Sequence, residues 1–221
     1  MIKACLFDLD GTLLDTLTTI SYYANLALAK YGIEPIDKER YKYLVGDGAK
    51  ILIERMLKER DCFSAELYEK VYGFYNESYD ANPTYLTEPY PGITDMLCEL
   101  KKRGITAGVI SNKPDYAARS VCTAKFPEGL LHTVRGQVEG VRIKPDPQGA
   151  YMTLDTMNVK SDEIIYVGDT GVDMVTGKNL GAYTVGVQWG FRDSAELMEN
   201  GADEVISEPH ELIKIINKIN I

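Results

Sequence analysis

The sequence predicts an α/β fold in which a mostly parallel sheet is covered by helices on both faces and a small all-helical segment follows the first strand. Three observations predict it. After Pro91, apolar strand-like runs alternate with helical runs, the rhythm of a parallel sheet covered on both sides. From Thr16 to about Asp80 that rhythm is absent, and each periodic run has helical spacing. The isolated apolar run Ile2 to Phe7 matches the later strands in composition, so it joins their sheet. The expected arrangement is a Rossmann-like core over 1–15 and 87–221, with an all-helical cap over 16–86. A chain of 221 residues has room for both units.

The elements follow in order. Ile2 to Phe7 reads as a buried strand. "TLTTISYYANLALAKYG", "DKERYKYLVG", "GAKILIERMLKER" and "SAELYEKVYGFYNESYD" read as helices, punctuated by Gly32 and Gly46. Pro83, Pro89 and Pro91 then break the helical pattern. "ITDMLCELKKRG" is a helix, "ITAGVIS" a strand and "PDYAARSVCTAKF" a helix with proline at its start. "LLHTVRG" is a further strand, followed by the helix "PQGAYMTLDTMN". "DEIIYVGD", "GVDMVTGKNLG" and "AYTVGVQWG" read as strand, helix and strand. "SAELMENG", "ADEVI" and "EPHELIKIINKI" complete the chain.

Bulk properties exclude some functions. The net charge of -9 argues against nucleic acid or an anionic membrane as a general partner. Cys5, Cys62, Cys98 and Cys122 form no C-x-x-C pair, and the two histidines, His132 and His210, lie far apart, so no zinc framework is expected. The cysteines read as unpaired thiols in a reducing compartment. There is no signal-peptide pattern and no run of about 18 apolar residues, so a cytoplasmic protein is expected, as monomer or homodimer. "GVDMVTGKN" is not a phosphate loop, because Val172 and Asn179 stand where that motif needs Gly and Ser or Thr. The tyrosines of the helical block read as packing, and both histidines as structural.

Reactive residues stand where apolar runs stop. The first strand stops at Asp8, "TAGVI" at Ser111-Asn112, and "IIYVG" at Asp169. In an open parallel sheet these carboxyl ends share one edge, where ligands bind. Asp8 and Asp10, two apart in extended chain, can face the same site. Asp169 and Asp173 are four apart at a helix start. Taken singly, each has a plainer reading: a turn or capping aspartate, a plain turn at Ser111-Asn112, a solvated surface charge at Lys144 in "RIKPDP". Together they point to one crevice. Clustered carboxylates there need a divalent cation, or repulsion would neutralise some of them. Few hard oxygen ligands suit Mg²⁺, which also binds substrate phosphate. Ser111 and Asn112 offer an oxyanion cradle, and Lys144 a compensating positive charge.

In their order and spacing "DLDGTLLDT", "VISNK", "KPDP" and "VGDTGVDM" resemble the four motifs of the haloacid dehalogenase-like hydrolase superfamily, and they frame nearly the whole chain. The helical block resembles that family's cap, which implies hinges near residues 14–17 and 80–88. "GDGAKILIERML" and "GVQWGFR" are similar to segments of its phosphoglycolate phosphatase branch. The resemblance implies a phosphatase for a small phosphorylated metabolite, with Asp8 as nucleophile and Asp10 as general acid and base. It implies Mg²⁺ held by Asp8, the Asp10 carbonyl and Asp169, with Asp173 in or beside that shell. Ser111 and Asn112 would hold phosphoryl oxygens with Lys144 offsetting charge, and Gly11 and Thr12 would shape the phosphate-binding loop. Gly46-Asp47-Gly48 stands where the cap's specificity loop would be, and Lys50 could offer a charge to a substrate carboxylate. Asp10 argues against the dehalogenase and phosphonate-cleaving branches. A sugar-phosphate mutase, a pyrophosphatase and a catalytically silent binding module are the rival readings.

Overall fold

A computed structural model describes residues 1–220. In chain order its first half contains β1 (Ala4–Phe7), β2 (Leu14–Asp15), α1 (Leu17–Lys30), a 3-10 turn (Lys38–Arg40), α2 (Tyr41–Leu44), α3 (Ala49–Glu59), α4 (Ala65–Ala81), β3 (Glu88–Pro89) and α5 (Ile93–Lys102). Then follow β4 (Thr106–Pro114), α6 (Asp115–Lys125), β5 (Thr133–Gln137), α7 (Gln148–Met157), β6 (Ile164–Gly168), α8 (Gly171–Leu180), β7 (Tyr183–Val187), α9 (Ser194–Glu199), β8 (Glu204–Ile206) and α10 (Glu211–Ile219).

Six strands form one sheet in the order β5-β4-β1-β6-β7-β8, and each neighbouring pair is parallel. From β1 the chain builds outward through β4 to β5, then returns to β6 on the other side and builds outward to β8. The order therefore reverses around β1, and the carboxyl end of β1 lies at the switch point where α/β sheets bind ligands. Both faces are buried, so β1 reads as a continuous apolar run rather than an alternating one. Its odd and even residues still separate. Cys5 and Phe7 pack with Val109, Val121, Ile165 and Val167 in one core. Ala4 and Leu6 pack with Ile110, Leu154, Ile164 and Tyr166 in the other.

The helices α1 to α4 enclose a further apolar cluster through Ala24 and Leu28, Ile53 and Met56, and Val71 and Tyr75. Ser64 starts α4 by accepting a hydrogen bond from the Leu67 N–H. Ala117 of α6 and Phe191 beyond β7 belong to this same cluster, so the apolar interior runs across the boundary between helices and sheet.

Three elements differ from expectation. A two-stranded antiparallel ribbon, with Leu14 opposite Pro89 and Asp15 opposite Glu88, zips together the two chain crossings read as hinges. Thr19 reinforces it, donating 2.6 Å to the Tyr85 carbonyl and lying 2.8 Å from the Thr87 hydroxyl. The strand expected to stop at Ser111-Asn112 continues to Pro114, because a register shift after Ile110 lets Pro114 pair with Gln137 of β5. "DKERYKYLVG" forms only a 3-10 turn and one short helix.

Leu6 is fully buried where β1 meets its neighbours. Leu6→Ala should cost about 2–5 kcal/mol in urea denaturation, the usual range for a leucine deleted from a tight core. A change below about 1 kcal/mol would mean that this face of the sheet is not close-packed.

Candidate active site

The apolar cores end at the carboxyl edge of the sheet, and polar side chains gather there. Asp8 follows β1, Asp169 follows β6 and Asp173 lies in the first turn of α8. One carboxylate oxygen from each lies within 4.8 Å of the other two, and all three residues are buried. Lys144, from the loop before α7, enters this group. Its Nζ is 2.7 Å from Asp8 Oδ1 and 2.7 Å from Asp173 Oδ1.

Burial opposes ionisation here, and the negative charges oppose one another. Burial first, then the charge of Asp173, push the Asp8 carboxyl up to about 7, against the pull of Lys144. Burial and the charges of Asp173 and Asp8 hold Asp169 well above the usual carboxylate range. Burial alone would discharge Lys144, but Asp173 and Asp8 more than offset it and keep the ammonium charged. Asp8 Oδ1 is within ion-pair distance of Lys144 yet has no aligned hydrogen bond among the described residues. A buried carboxylate oxygen faced by an ammonium, beside two more carboxylates, is a hard-oxygen site that fits a divalent cation such as Mg²⁺.

Neighbouring groups orient the aspartates. Asp169 accepts from the Thr12 hydroxyl at 2.9 Å and from the Phe191 N–H at 2.8 Å. Thr170 and Asp173 form a reciprocal capping box at the start of α8. Asp173 is thus both a capping residue and a partner of Lys144, with the Tyr166 hydroxyl 3.4 Å from Oδ1. Gly11 has φ +90°, and a Cβ there would lie 2.2 Å from Asp169 Oδ2. Gly190 approaches from the other side, where a Cβ would lie 2.4 Å from the Gly11 carbonyl. The Trp189 indole N–H donates 2.9 Å to the Thr12 carbonyl. Gly11 and Thr12, expected in a phosphate-binding loop, therefore pack against Asp169, and neither lines the cavity.

A cavity of about 70 Å³ lies above the carboxylates and is lined by Asp8, Asp10 and Ser111 on one side and by Tyr75 and Tyr79 of α4 on the other. Ser111 and Asn112 both line it, but the Asn112 side chain is committed elsewhere. Its Oδ1 accepts from the Lys144 N–H at 2.9 Å, and its Nδ2 donates 3.0 Å to the Gly46 carbonyl. That amide positions Lys144 and meets the helical segment, so only the backbone of Asn112 is left for an oxyanion. Gly46 and Gly48 line the cavity. Asp47 instead pairs with Arg55 at 2.6 Å, and Lys50 is exposed outside the cavity. The Asp10 carboxylate stands apart from the three-aspartate cluster and pairs with Lys113 at 3.0 Å. Lys113, which the sequence reading passed over within "VISNK", is buried, and the one available signal was a lysine two residues past Ser111 on the same strand.

Comparison with known proteins adds a lineage to this geometry. A family model described as haloacid dehalogenase-like hydrolase matches residues 5–187. A phosphoglycolate phosphatase of Aquifex aeolicus is 29% identical over 215 residues, covering 97% of each chain. An N-acetylmuramic acid 6-phosphate phosphatase of Pseudomonas aeruginosa is 27% identical, over 98% of this chain and 96% of that one. Among solved structures, a phosphoglycolate phosphatase candidate from Lactobacillus delbrueckii subsp. bulgaricus superimposes with a TM-score of 0.91 at 27% identity, over 97% of this chain and 98% of that one.

The charge balance sets a pH dependence for the metal-free protein. With Asp8 raised from 3.8 to about 7, the folded state binds more protons than the unfolded state between those values, so stability falls as pH rises through that window. Asp8→Asn should therefore melt higher than wild type at pH 8 in the absence of metal, and its melting temperature should vary less between pH 5 and pH 8. A variant that melts lower at pH 8 would contradict this electrostatic account.

Proposed function

The chain belongs to the haloacid dehalogenase-like hydrolases, and from that premise we propose that it is a Mg²⁺-dependent phosphatase which hydrolyses a small phosphomonoester, phosphoglycolate first among the candidates, through an aspartyl-phosphate. The observation that carries this reading is the buried Asp8 carboxylate beside Asp169 and Asp173, with Lys144 against it and Asp10 at the cavity wall.

The residues divide the work. Asp8, ionised, attacks phosphorus; its bond to phosphorus forms as the bond to the leaving alcohol breaks. Asp10, protonated at that step, gives its proton to the departing oxygen. It then takes a proton from water, whose oxygen attacks phosphorus and frees Asp8 and inorganic phosphate. The Ser111 hydroxyl and the backbone N–H groups at the end of β4 hold the phosphoryl oxygens. Lys144, fixed by Asn112, keeps Asp8 and Asp173 from repelling one another as phosphate charge arrives. Asp8, Asp169 and the Asp10 carbonyl would hold Mg²⁺, with Asp173 beside them, and the bound ion would neutralise charge on the phosphoryl oxygens. Residues 16–86 act as the cap, which excludes water while the phosphoryl group is in transit.

Phosphoglycolate stands first because it is the substrate named for several relatives, that of Aquifex aeolicus among them.

The protein should release inorganic phosphate from phosphoglycolate with Mg²⁺, lose that activity in EDTA and regain it on Mg²⁺ addition. Asp8→Asn should lower kcat by more than about a thousandfold, and Asp10→Asn by about 10²–10⁴-fold. Full turnover by Asp8→Asn would overturn the mechanism.

A further inference from the structure

Lys113 has no assigned role in that mechanism, yet it is 8% exposed and lines the cavity. A buried ammonium needs compensation. Asp10 supplies part of it, accepting at 3.0 and 3.2 Å through its two oxygens. An ammonium has three donors, and beside Asp10 the Tyr79 side chain lies close to its Nζ. The charge also lies 4.8 Å from the centre of the Tyr79 ring, a cation–π contact. Burial would discharge Lys113, but Asp10 and then Tyr79 more than offset it, so it stays positive. Tyr79 is 5% exposed, and its buried hydroxyl, which makes no aligned hydrogen bond among the described residues, lies close to the Lys113 ammonium.

The charge inventory of the cavity sharpens the point. Asp8, Asp10 and Asp80 are its acidic lining residues, and Lys113 is the one basic residue lining it. Asp80 is exposed at the rim and tied to the Tyr116 hydroxyl at 2.8 Å, so solvent screens its charge. Deeper in, the cavity wall carries the Lys113 cation beside the Tyr79 hydroxyl. That pair is suited to an anion with two oxygens, attached to the leaving group rather than to phosphorus.

Resting on the phosphatase reading above, we propose that Lys113, with the Tyr79 hydroxyl, recognises a carboxylate on the alcohol half of the substrate and so sets a preference for carboxylate-bearing phosphomonoesters. Lys113 turns part of its charge from Asp10 to the incoming carboxylate, which couples correct substrate binding to the residue that handles the leaving oxygen. A site built to bond a charged group rejects analogues that lack it more strongly than an apolar pocket rejects a missing methylene.

The test compares kcat/KM for phosphoglycolate with that for 2-hydroxyethyl phosphate, in which a hydroxymethyl replaces the carboxylate. Wild type should prefer phosphoglycolate. Lys113→Gln should reduce the ratio by about ten- to a hundredfold, the range for a hydrogen bond to a charged group. Lys113→Arg should retain most of it, and Tyr79→Phe should reduce it several-fold. If Lys113 serves only to position Asp10, the variant will lose both activities equally and the ratio will not move, which overturns the proposal. Inhibition of the wild type supplies a second measurement that needs no variant: glycolate should compete with substrate far better than ethylene glycol. Equal inhibition, or equal kcat/KM for the two esters in wild type, also overturns it. No hydrolysis of either ester would instead remove the phosphatase reading on which it rests.

Discussion

The buried Lys144 ammonium between Asp8 and Asp173 is the interaction on which the site depends. Three aspartates sharing one crevice cannot all ionise without a nearby positive charge. Lys144 supplies one from within the protein. Such a pair adds little to net stability, since the cost of removing its charges from water is comparable to their attraction. Its value lies in preorganisation: the charges are in place before substrate binds. The surrounding structure serves the same end. Asn112 fixes the backbone of Lys144, Thr170 fixes Asp173, and Thr12 with the Phe191 amide fixes Asp169.

The helices α1 to α4 meet the sheet through a continuous apolar interior and a few polar ties. Ala117 and Phe191 extend the helical cluster, while Tyr116 reaches Asp80 and Asn112 reaches Gly46. Arg192 reaches the Lys42 carbonyl and lies over the Tyr43 ring. Exposed polar ties such as the first contribute little energy, so they can break at modest cost. The β2–β3 ribbon holds the two chain crossings together whether or not those ties are made.

Much of this was legible in the sequence because apolar runs end abruptly. Asp8 and Asp169 stand one residue past buried strands, and the alternating pattern puts both ends on one edge, so the sheet and the aspartate cluster could be read together. The ribbon could not: Leu14 and Pro89 are far apart in the chain and each strand has two residues, too few to carry a period. Asn112 reads from the sequence as part of an oxyanion cradle, while its side-chain partners, Lys144 and Gly46, are set by the fold. Gly11 and Thr12 read as shaping a phosphate-binding loop, and their packing against Asp169 is visible only in the folded chain. Lys113 was hidden for another reason. Its partner Asp10 lies 103 positions away, and nothing local marks a lysine as buried.

Trp189 is the sole tryptophan of the chain, and its indole N–H is bonded to the Thr12 carbonyl, one residue beyond the glycine that abuts Asp169. Indole emission responds to its immediate polar contacts. The protein thus carries a native fluorophore wired to the loop that abuts Asp169, and a single unlabelled optical signal reports on that loop without contribution from any other indole.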